Sequence, residues 1–400
     1  MKIYFFTSKL NFKTAGGSIE EFDLMMRTLQ TMGHEVTAVT FFSKGNDISS
    51  PLPYRLIEHN IRTDLVGMSL DIYGLFKRYE RQADFFHIDG HIGLYGAGLY
   101  RRAGGTVPVS AFFNRELGSF PQDHSFLVGM HHESLVARAR RMIRYALERS
   151  LGMYLANALD LRLFISPFYQ AMYEKFGLRS TKSNSFVIGD PIDLKKLSRE
   201  NGITAVSYEG RSARKPITLF FSSRMAPAKG FDLILSGFAR VKNKDDFHLI
   251  LGGDGPEEIE IKKLARDLGI EKYIDFPGWT PRDTLFEYYK RTDVFIQVGW
   301  RKEGTSISLL YALAFGLPCI VPKETGLAWQ AGDAALTVEN GNHDELARAI
   351  ERVGKDTELR VRLSRASLAR LESDQLNHEK VIGEWVRRME QVVSQQSASR

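Results

Sequence analysis

The chain has 400 residues, 43% of them apolar and 11% aromatic, which is enough to bury the cores of about two domains and excludes an intrinsically disordered protein. Cys319 is the single cysteine, so an intrachain disulfide is excluded and a reducing compartment is indicated. The net charge of +6, from 54 basic and 48 acidic residues, needs no polyanionic partner to balance it.

No segment predicts a membrane anchor. The opening stretch, MKIYFFTS, is too short for a secretory signal or an anchor. The longest apolar run, residues 307–321, is interrupted by Gly316 and Pro318 and falls short of the ~20 residues that a spanning helix needs. We therefore expect a soluble, cytoplasmic protein.

Short apolar runs alternate with helix-like segments in the N-terminal half, which predicts a parallel α/β sheet. The predicted strands are residues 2–7, 35–42, 85–88, 107–113, 163–166 and 185–188. Gly16 and Gly17 follow the first strand, and a helix begins at Ser18, which stands in capping-box spacing to Glu21. Glycines there let a ligand approach the backbone, and the helix start offers N–H groups to an anion. A tight turn without a ligand is the alternative.

One segment of this half is rich in arginine. Residues 136–150 interleave apolar side chains with Arg138, Arg140, Arg141, Arg144 and Arg149. On a helix, this composition fits the surface of an anionic bilayer, and an ordinary surface helix with an arginine-rich outer face explains it equally well. Nucleic acid is disfavoured as a partner because neither zinc ligands nor a known binding motif accompanies the arginines.

The alternation of strands and helices stops at a polar stretch and then starts again. Residues 197–215 are predicted to be a linker between an N-terminal domain (1–196) and a second domain (216–375). A C-terminal helix (376–393) is expected to pack back on the first domain, ahead of a flexible tail (394–400). The second domain has predicted strands at 217–222, 247–252, 274–277, 294–298 and 319–321. The fold class is therefore α/β, with two doubly wound Rossmann-like domains facing across a cleft at the carboxyl ends of their strands.

Three charged residues predict an anion site in the second domain. Arg224 and Lys229 flank Pro227 in the turn after a strand, and Glu303 lies at a helix start downstream. Two cations there can neutralise a diphosphate, and a carboxylate accepts hydrogen bonds from vicinal sugar hydroxyls. This combination favours a nucleotide-sugar donor. Two solvated loop cations and a carboxylate that only caps a helix remain the alternatives.

The second half resembles a known family. FFSSRMAPAKG, LGGDGPE, PGWTPRDTLFEYYKRTDVFIQV and EGTSISLLYALAFGLPCIVP follow one another as in the GT-B retaining glycosyltransferases of the glycogen-synthase-like and mannosyltransferase-like group, glycosyltransferase group 1. The N-terminal AGGSIEEFDLMMRTLQTMGHEV is similar to the opening helix of that group. The resemblance covers residues 1–390 and is more specific in the C-terminal half. It implies an N-terminal acceptor domain and a C-terminal nucleotide-sugar domain.

The resemblance also implies roles for single residues. Arg224 and Lys229 would contact the donor diphosphate, and Glu303 the donor sugar. The predicted binding residues around them are Gly16, Gly17, Gly278, Trp279, Gly304, Thr305, Ser306 and Ile307. Among these, Gly278 and Trp279 would hold the base, and Thr305 to Ile307 would offer backbone or hydroxyl groups to phosphate.

Three positions depart from the family pattern. Tyr311 stands where the family often has a glutamate that binds the ribose, Asn114 where many relatives have a histidine near the reacting centre, and Trp329 where a glutamate is expected. Tyr311 and Asn114 are nevertheless predicted to be substrate-binding residues. His87 and His91 are candidates for the acceptor side, although packing histidines explain them as well.

Taken together, the residues and the resemblance predict a retaining, hexosyltransferase-like enzyme of polysaccharide biosynthesis. It would move a sugar from a UDP- or GDP-linked donor to a glycan or lipid-linked glycan, without a cofactor or metal. Peripheral contact with the inner face of the membrane would be made by the arginine-rich helix. The alternatives are a glycan-binding or accessory protein with the same fold, and a nucleotide-sugar epimerase.

Overall fold

A computed structural model describes residues 1–12, 17–48, 51–90, 93–115, 135–204, 208–209 and 215–398, with only the backbone for Gly17 and Ser18. The described chain forms two compact units. The first runs to Ile192 and takes up the chain again from Asp374 onward. The second comprises the residues from Asp193 to Ser373.

Each unit contains one parallel sheet. The strands are β1 (Lys2–Thr7), β2 (Glu35–Thr40), β3 (Arg55–Glu58), β4 (Phe85–Asp89), β5 (Val109–Phe113), β6 (Leu161–Phe164), β7 (Ser185–Val187), β8 (Ile217–Ser222), β9 (Phe247–Gly252), β10 (Ile274–Gly278), β11 (Val294–Ile296), β12 (Cys319–Pro322) and β13 (Ala335–Val338). The order is β3-β2-β1-β4-β5-β6-β7 in the first unit and β10-β9-β8-β11-β12-β13 in the second. Both orders reverse beside the first strand of the unit, so both units are doubly wound, as the sequence predicted.

Helices connect the strands. They are α1 (Gly17–Thr31), α2 (Leu65–Tyr79), α3 (Leu94–Arg102), α4 (Leu135–Leu147), α5 (Met153–Ala156), α6 (Pro167–Phe176), α7 (Leu194–Glu200), α8 (Phe231–Ala239), α9 (Glu258–Asp267), α10 (Arg282–Arg291), α11 (Ile307–Ala314), α12 (Gly326–Ala331), α13 (His343–Lys355), α14 (Thr357–Leu371) and α15 (His378–Ala398). A π-helical turn, Glu148–Gly152, joins α4 to α5.

The C-terminal helix belongs to the core of the first unit. Ile382, Trp385 and Met389 recur at helical spacing on α15, and all three are fully buried. They share one apolar cluster with residues of β1 and α1, such as Phe5 and Met25. The helix therefore covers the same side of the first sheet as α1.

Two element boundaries differ from the prediction. Helix α7 occupies the first residues of the predicted linker, because Asp193 caps it by accepting a hydrogen bond from the Lys196 N–H (2.9 Å) and Leu194 and Leu197 are buried. The predicted flexible tail is helical to Ala398, since α15 continues through it.

Within the described ranges, the structure contains no helix whose length and apolar character would allow it to cross a membrane.

Candidate active site

The strand order of the second unit reverses between β8 and β11. The loops that follow these two strands diverge from that point, and parallel α/β sheets bind ligands in the crevice that this divergence opens. The loop after β8 carries Arg224 and Lys229, and the loop after β11 carries Glu303. The three charged residues predicted from the sequence therefore lie at the carboxyl edge of one sheet, at its switch point.

The loop after β8 is anchored through Met225, whose side chain is fully buried. The Met225 N–H donates to the Asp254 carbonyl (2.6 Å), and the Met225 carbonyl accepts from the Glu257 N–H (3.1 Å). Its neighbour Arg224 is exposed. The main chain next to Arg224 is thus fixed, while the Arg224 guanidinium remains accessible to an anion.

The same loop approaches the loop after β11 very closely at Gly230. This residue has a φ of 83°, and a Cβ atom on it would lie 2.0 Å from the Val298 carbonyl oxygen. Only glycine allows this approach. It places the adjacent Lys229 directly across from the loop that carries Glu303.

Glu303 is held by two side chains. Lys229 Nζ lies 2.6 Å from one carboxylate oxygen, and Gln297 Nε2 donates to the other at 2.8 Å. The Glu303 side chain is 20% exposed and that of Lys229 39%, so the pair faces solvent, whereas Gln297 is 6% exposed. Gln297 Oε1 is buried and has no partner among the described residues. The carboxylate is therefore oriented in advance, and its remaining lone pairs can accept ligand hydroxyls.

The backbone beside Glu303 packs against the start of α12. The Gly326 N–H donates to the Glu303 carbonyl (3.0 Å), and a Cβ atom on Gly326 would lie 1.5 Å from the Gly304 carbonyl oxygen. This contact fixes the main chain directly after Glu303, and it requires glycine at position 326.

Helix α11 begins next to this contact. Ser306 caps it, accepting from the Leu309 N–H at 3.4 Å, while its own N–H donates to Gln330 Oε1 (2.9 Å). The predicted phosphate contact through the Ser306 amide would thus compete with a buried glutamine. Thr305 and Ile307 are partly exposed at the same helix start and keep their predicted role as a proposal.

The two residues predicted to hold the base lie at the carboxyl end of β10, where Gly278 is the last residue of the strand and Trp279 follows it. Gly278 has a φ of 72°, and its carbonyl accepts from the Gly253 N–H (2.8 Å). Trp279 is 68% exposed, an unusual environment for a large aromatic side chain. A flat exposed ring of this kind is available for stacking on a base.

Tyr311 is mainly a packing residue. It is 8% exposed, and its ring packs edge-on against Phe286 (5.3 Å between centroids) and Tyr289 (6.1 Å). The Arg282 guanidinium lies 5.8 Å from the ring centroid. Tyrosine at this position therefore fills an aromatic core, which explains part of the departure from the family pattern.

In the first unit, His87 is a packing histidine and does not line a site, contrary to one interpretation of the sequence. It is fully buried, its Nδ1 lies 2.8 Å from Ser110 Oγ, and its ring contacts Phe5 (4.5 Å) and Trp385 (4.6 Å). Burial lowers the pKa of His87 to about 3, so the ring is neutral.

Asn114 contacts a carboxylate that the sequence analysis did not single out. Asp89 ends β4 beside the switch point of the first sheet and accepts from Thr7 Oγ1 (3.0 Å) and Asn114 Nδ2 (3.3 Å). Burial raises the pKa of Asp89 to about 7, against the opposing effect of the Thr7 and Asn114 hydrogen bonds and of the Arg115 charge. The predicted residues Gly16 and His91 lie outside the described residues.

Two site residues were thus missed, Gln297 and Asp89. Each directly follows or ends a buried strand at a carboxyl edge, and that position is the signal that could have identified them. Over the part of the chain that the structure describes, no group of three or more His, Cys, Asp or Glu side chains could hold a metal ion.

Comparisons with known proteins relate the C-terminal half to one family. Residues 207–370 match the family model described as Glycosyl transferases group 1. A lipopolysaccharide core biosynthesis glycosyltransferase, LpsE of Rhizobium meliloti, is 30% identical over 166 residues, which are 41% of this chain and 44% of the relative. The match therefore spans less than half the length of that relative.

Solved structures extend the likeness to both units. HepE of Anabaena, in complex with UDP, has a TM-score of 0.69 at 16% identity and covers 98% of this chain and 100% of its own. Sucrose-phosphate synthase of Thermosynechococcus elongatus has a TM-score of 0.71 at 18% identity and covers 100% of both chains. At these identities the likeness shows the fold, two doubly wound domains of the GT-B class.

Proposed function

We propose that the protein is a retaining, metal-independent glycosyltransferase, because residues 207–370 match the family model of the group 1 glycosyl transferases. It transfers a sugar, most simply a hexose, from a UDP- or GDP-linked donor to a hydroxyl group of a glycan or lipid-linked glycan. The observation that carries the proposal is the contact of Lys229 with a Glu303 carboxylate that Gln297 orients, at the switch point of the second sheet.

The donor would engage this site through charge and hydrogen bonding. Arg224 and Lys229 bind the diphosphate, and Glu303 accepts hydrogen bonds from the sugar hydroxyls. Since Lys229 pairs with Glu303 without a ligand, the incoming phosphate shares the ammonium with the carboxylate. The phosphate and the sugar of the donor are thereby bound by one connected group of side chains, in which Lys229 pairs with Glu303.

The reaction breaks the bond between the anomeric carbon and the donor phosphate oxygen. Negative charge develops on the leaving diphosphate, and cations already in position stabilise it in the transition state. The acceptor oxygen forms the new bond to the anomeric carbon, and its proton passes to the leaving phosphate. Retention follows from the family resemblance.

We also propose where in the cell the enzyme binds its acceptor. A lipid-linked glycan would be used at the inner face of the membrane, with peripheral contact through the helix that carries Arg138 to Arg149. The similarity to a lipopolysaccharide core glycosyltransferase supports an acceptor of polysaccharide biosynthesis.

The proposal is tested by nucleotide binding followed by donor turnover. In a thermal-shift screen against UDP, GDP and ADP, one diphosphate should raise the melting temperature, because a ligand that binds only the folded state stabilises it. The matching nucleotide sugars should then be consumed in the presence of an acceptor. Glycan binding without turnover of any donor would instead identify an accessory protein, and sugar release or isomerisation without an acceptor would identify an epimerase.

A further inference from the structure

Trp329, which departs from the family pattern, lies near the end of α12 and is paired with an arginine of α14. The Arg370 guanidinium is 5.7 Å from the centroid of the Trp329 ring. Arg370 also donates two hydrogen bonds to the main chain of α12, from Nη2 to the Trp329 carbonyl (2.7 Å) and from Nε to the Gln330 carbonyl (3.1 Å). The last carbonyls of a helix have no partner within the helix, so Arg370 caps the carboxyl end of α12.

The other end of α12 contacts the candidate active site. The Gly326 N–H donates to the Glu303 carbonyl (3.0 Å), and the fully buried side chain of Gln330 accepts from the Ser306 N–H (2.9 Å). A helix of six residues, such as α12, has little stability of its own. Its position, and with it that of the main chain from Glu303 to Ser306, therefore depends on the contacts that hold the helix.

Helix α14 also holds the end of α11. Ser364 Oγ donates to the Gly316 carbonyl (2.6 Å) and Ser367 Oγ to the Leu317 carbonyl (2.6 Å), in the turn that follows α11. Helices α11 and α12 therefore both begin beside the loop that carries Glu303, and both end at polar side chains of α14. A side chain of α14 can thus set the geometry of the loop without lying in the site.

We propose that Arg370 is a positioning residue for sugar transfer: by capping α12, it holds the main chain that carries Glu303 in the geometry that transfer requires. The inference rests on the proposed function and adds to it a residue that acts through α12 rather than by touching the substrate. A misplacement of about 1 Å, caused far from the reacting atoms, can cost on the order of a hundredfold in rate. The nucleotide should be bound nearly as before, because Arg224 lies in the loop after β8, which Met225 anchors separately.

The structural step is tested without substrate, by hydrogen exchange of the full chain. In Arg370→Ala, the amides of Gly326 and Ser306 should exchange faster than in the wild type, because α12 loses its cap. Arg365→Ala is the matched control, since it removes an exposed arginine of the same helix that pairs with Glu209. This control should leave both amides unchanged. Unchanged exchange in Arg370→Ala as well would overturn the proposal.

The catalytic step is tested by the kinetics of transfer. Arg370→Ala should lower kcat by about ten- to a hundredfold, while the Kd of UDP or GDP, measured by calorimetry, stays within about twofold of the wild type. Arg370→Lys should be intermediate, because an ammonium keeps the charge but lacks the planar fork that bridges two carbonyls. Free guanidinium ion, below denaturing concentrations, should raise the kcat of Arg370→Ala and leave the wild type and Arg365→Ala unchanged.

A purely structural role of Arg370 predicts a different outcome. The proposal is overturned if Arg370→Ala keeps the kcat of the wild type, or if its nucleotide affinity falls as much as its kcat. It is also overturned if Arg365→Ala shares the loss and guanidinium does not restore it. A wild type that turns over no donor would contradict the proposed function and the catalytic role of Arg370 together, whereas normal transfer in both wild type and Arg370→Ala would contradict this inference alone.

Discussion

Glu303 is the residue whose surroundings decide what the C-terminal site can do. Lys229 and Gln297 approach its carboxylate from two different loops, and the Gly304 backbone beside it is locked against Gly326. A carboxylate fixed in this way loses little further side-chain entropy when it binds a sugar. A helix cap would need none of these contacts, so the capping interpretation of Glu303 explains less of the structure.

Gln297 gives the sharpest single-residue test of this arrangement. Gln297→Leu removes the donor to Glu303 and should lower kcat/KM by about ten- to a hundredfold, the loss of one hydrogen bond to a charged group. The affinity for the nucleotide alone should stay unchanged, because Gln297 acts on the sugar side. Steady-state kinetics and calorimetry with the nucleotide measure the two effects.

Gln297→Glu tests whether Gln297 positions the Glu303 carboxylate or only fills space in the core. It places a second carboxylate beside Glu303, and like charges at this distance raise the pKa of the pair. The acid limb of the rate profile should therefore move to higher pH. An unchanged profile together with unchanged kcat/KM in Gln297→Leu would remove Gln297 from the site.

Asp89 gives a prediction on stability. Its pKa is about 7 in the folded state, against an ordinary value of 3.8, so the folded protein retains a proton that the unfolded chain releases. The wild type should consequently lose stability as the pH rises between these values. Asp89→Asn has no titrating group at this position, so it should not lose stability in this way. The difference in free energy of unfolding between the variant and the wild type should therefore increase by on the order of 2–4 kcal/mol over that pH range, in favour of the variant.

Urea unfolding at about pH 4 and about pH 8 measures this change across the predicted window. The exposed substitution Asp283→Asn is the control, and its difference from the wild type should be nearly the same at both pH values. A constant difference for Asp89→Asn as well would mean that the folded state does not raise the pKa of Asp89.

Among the elements, the central strands were the easiest to predict. β1, β8 and β9 have the predicted bounds, since each is a six-residue segment made mainly of apolar residues. β3 and β13 were not predicted. Each has four residues and lies at the edge of its sheet, and its partly polar sequence shows no clear alternation of apolar and polar residues. Helix α15 passes its predicted end, and Gln396 in the extension donates a hydrogen bond from Nε2 to Asp160 Oδ1 of the first unit (3.2 Å).

Trp385 tests the role of α15. Trp385→Ala removes a fully buried side chain from the core that α15 shares with α1 and should cost about 3–5 kcal/mol of unfolding free energy. Trp385→Phe should recover most of it. Trp279→Ala, at a tryptophan that is 68% exposed, should stay within about 0.5 kcal/mol of the wild type. Equal effects of the two alanine variants in urea unfolding would argue against a core role for α15.

At the scale of the whole molecule, two doubly wound sheets followed from the alternation of strands and helices, and the structure confirms them. The charged trio was found because it lies in loops after strands. Its geometry was not predictable, since Lys229 and Glu303 are 74 residues apart and meet only through the strand order and the close approach at Gly230. The packing role of His87 could not be predicted either, because it depends on a contact with Trp385 of α15, which is distant in the chain.

The central claim is that Arg224 and Lys229 bind the donor diphosphate. The direct measurement is the initial rate of sugar transfer, with UDP- and GDP-linked donors, for Arg224→Ala with Lys229→Ala beside the control Arg348→Ala with Arg352→Ala. Both variants should melt within a few degrees of the wild type, because exposed ion pairs contribute about 0–1 kcal/mol. The account predicts that transfer is lost in the first variant and retained in the control. Transfer at the wild-type rate in the first variant would contradict it.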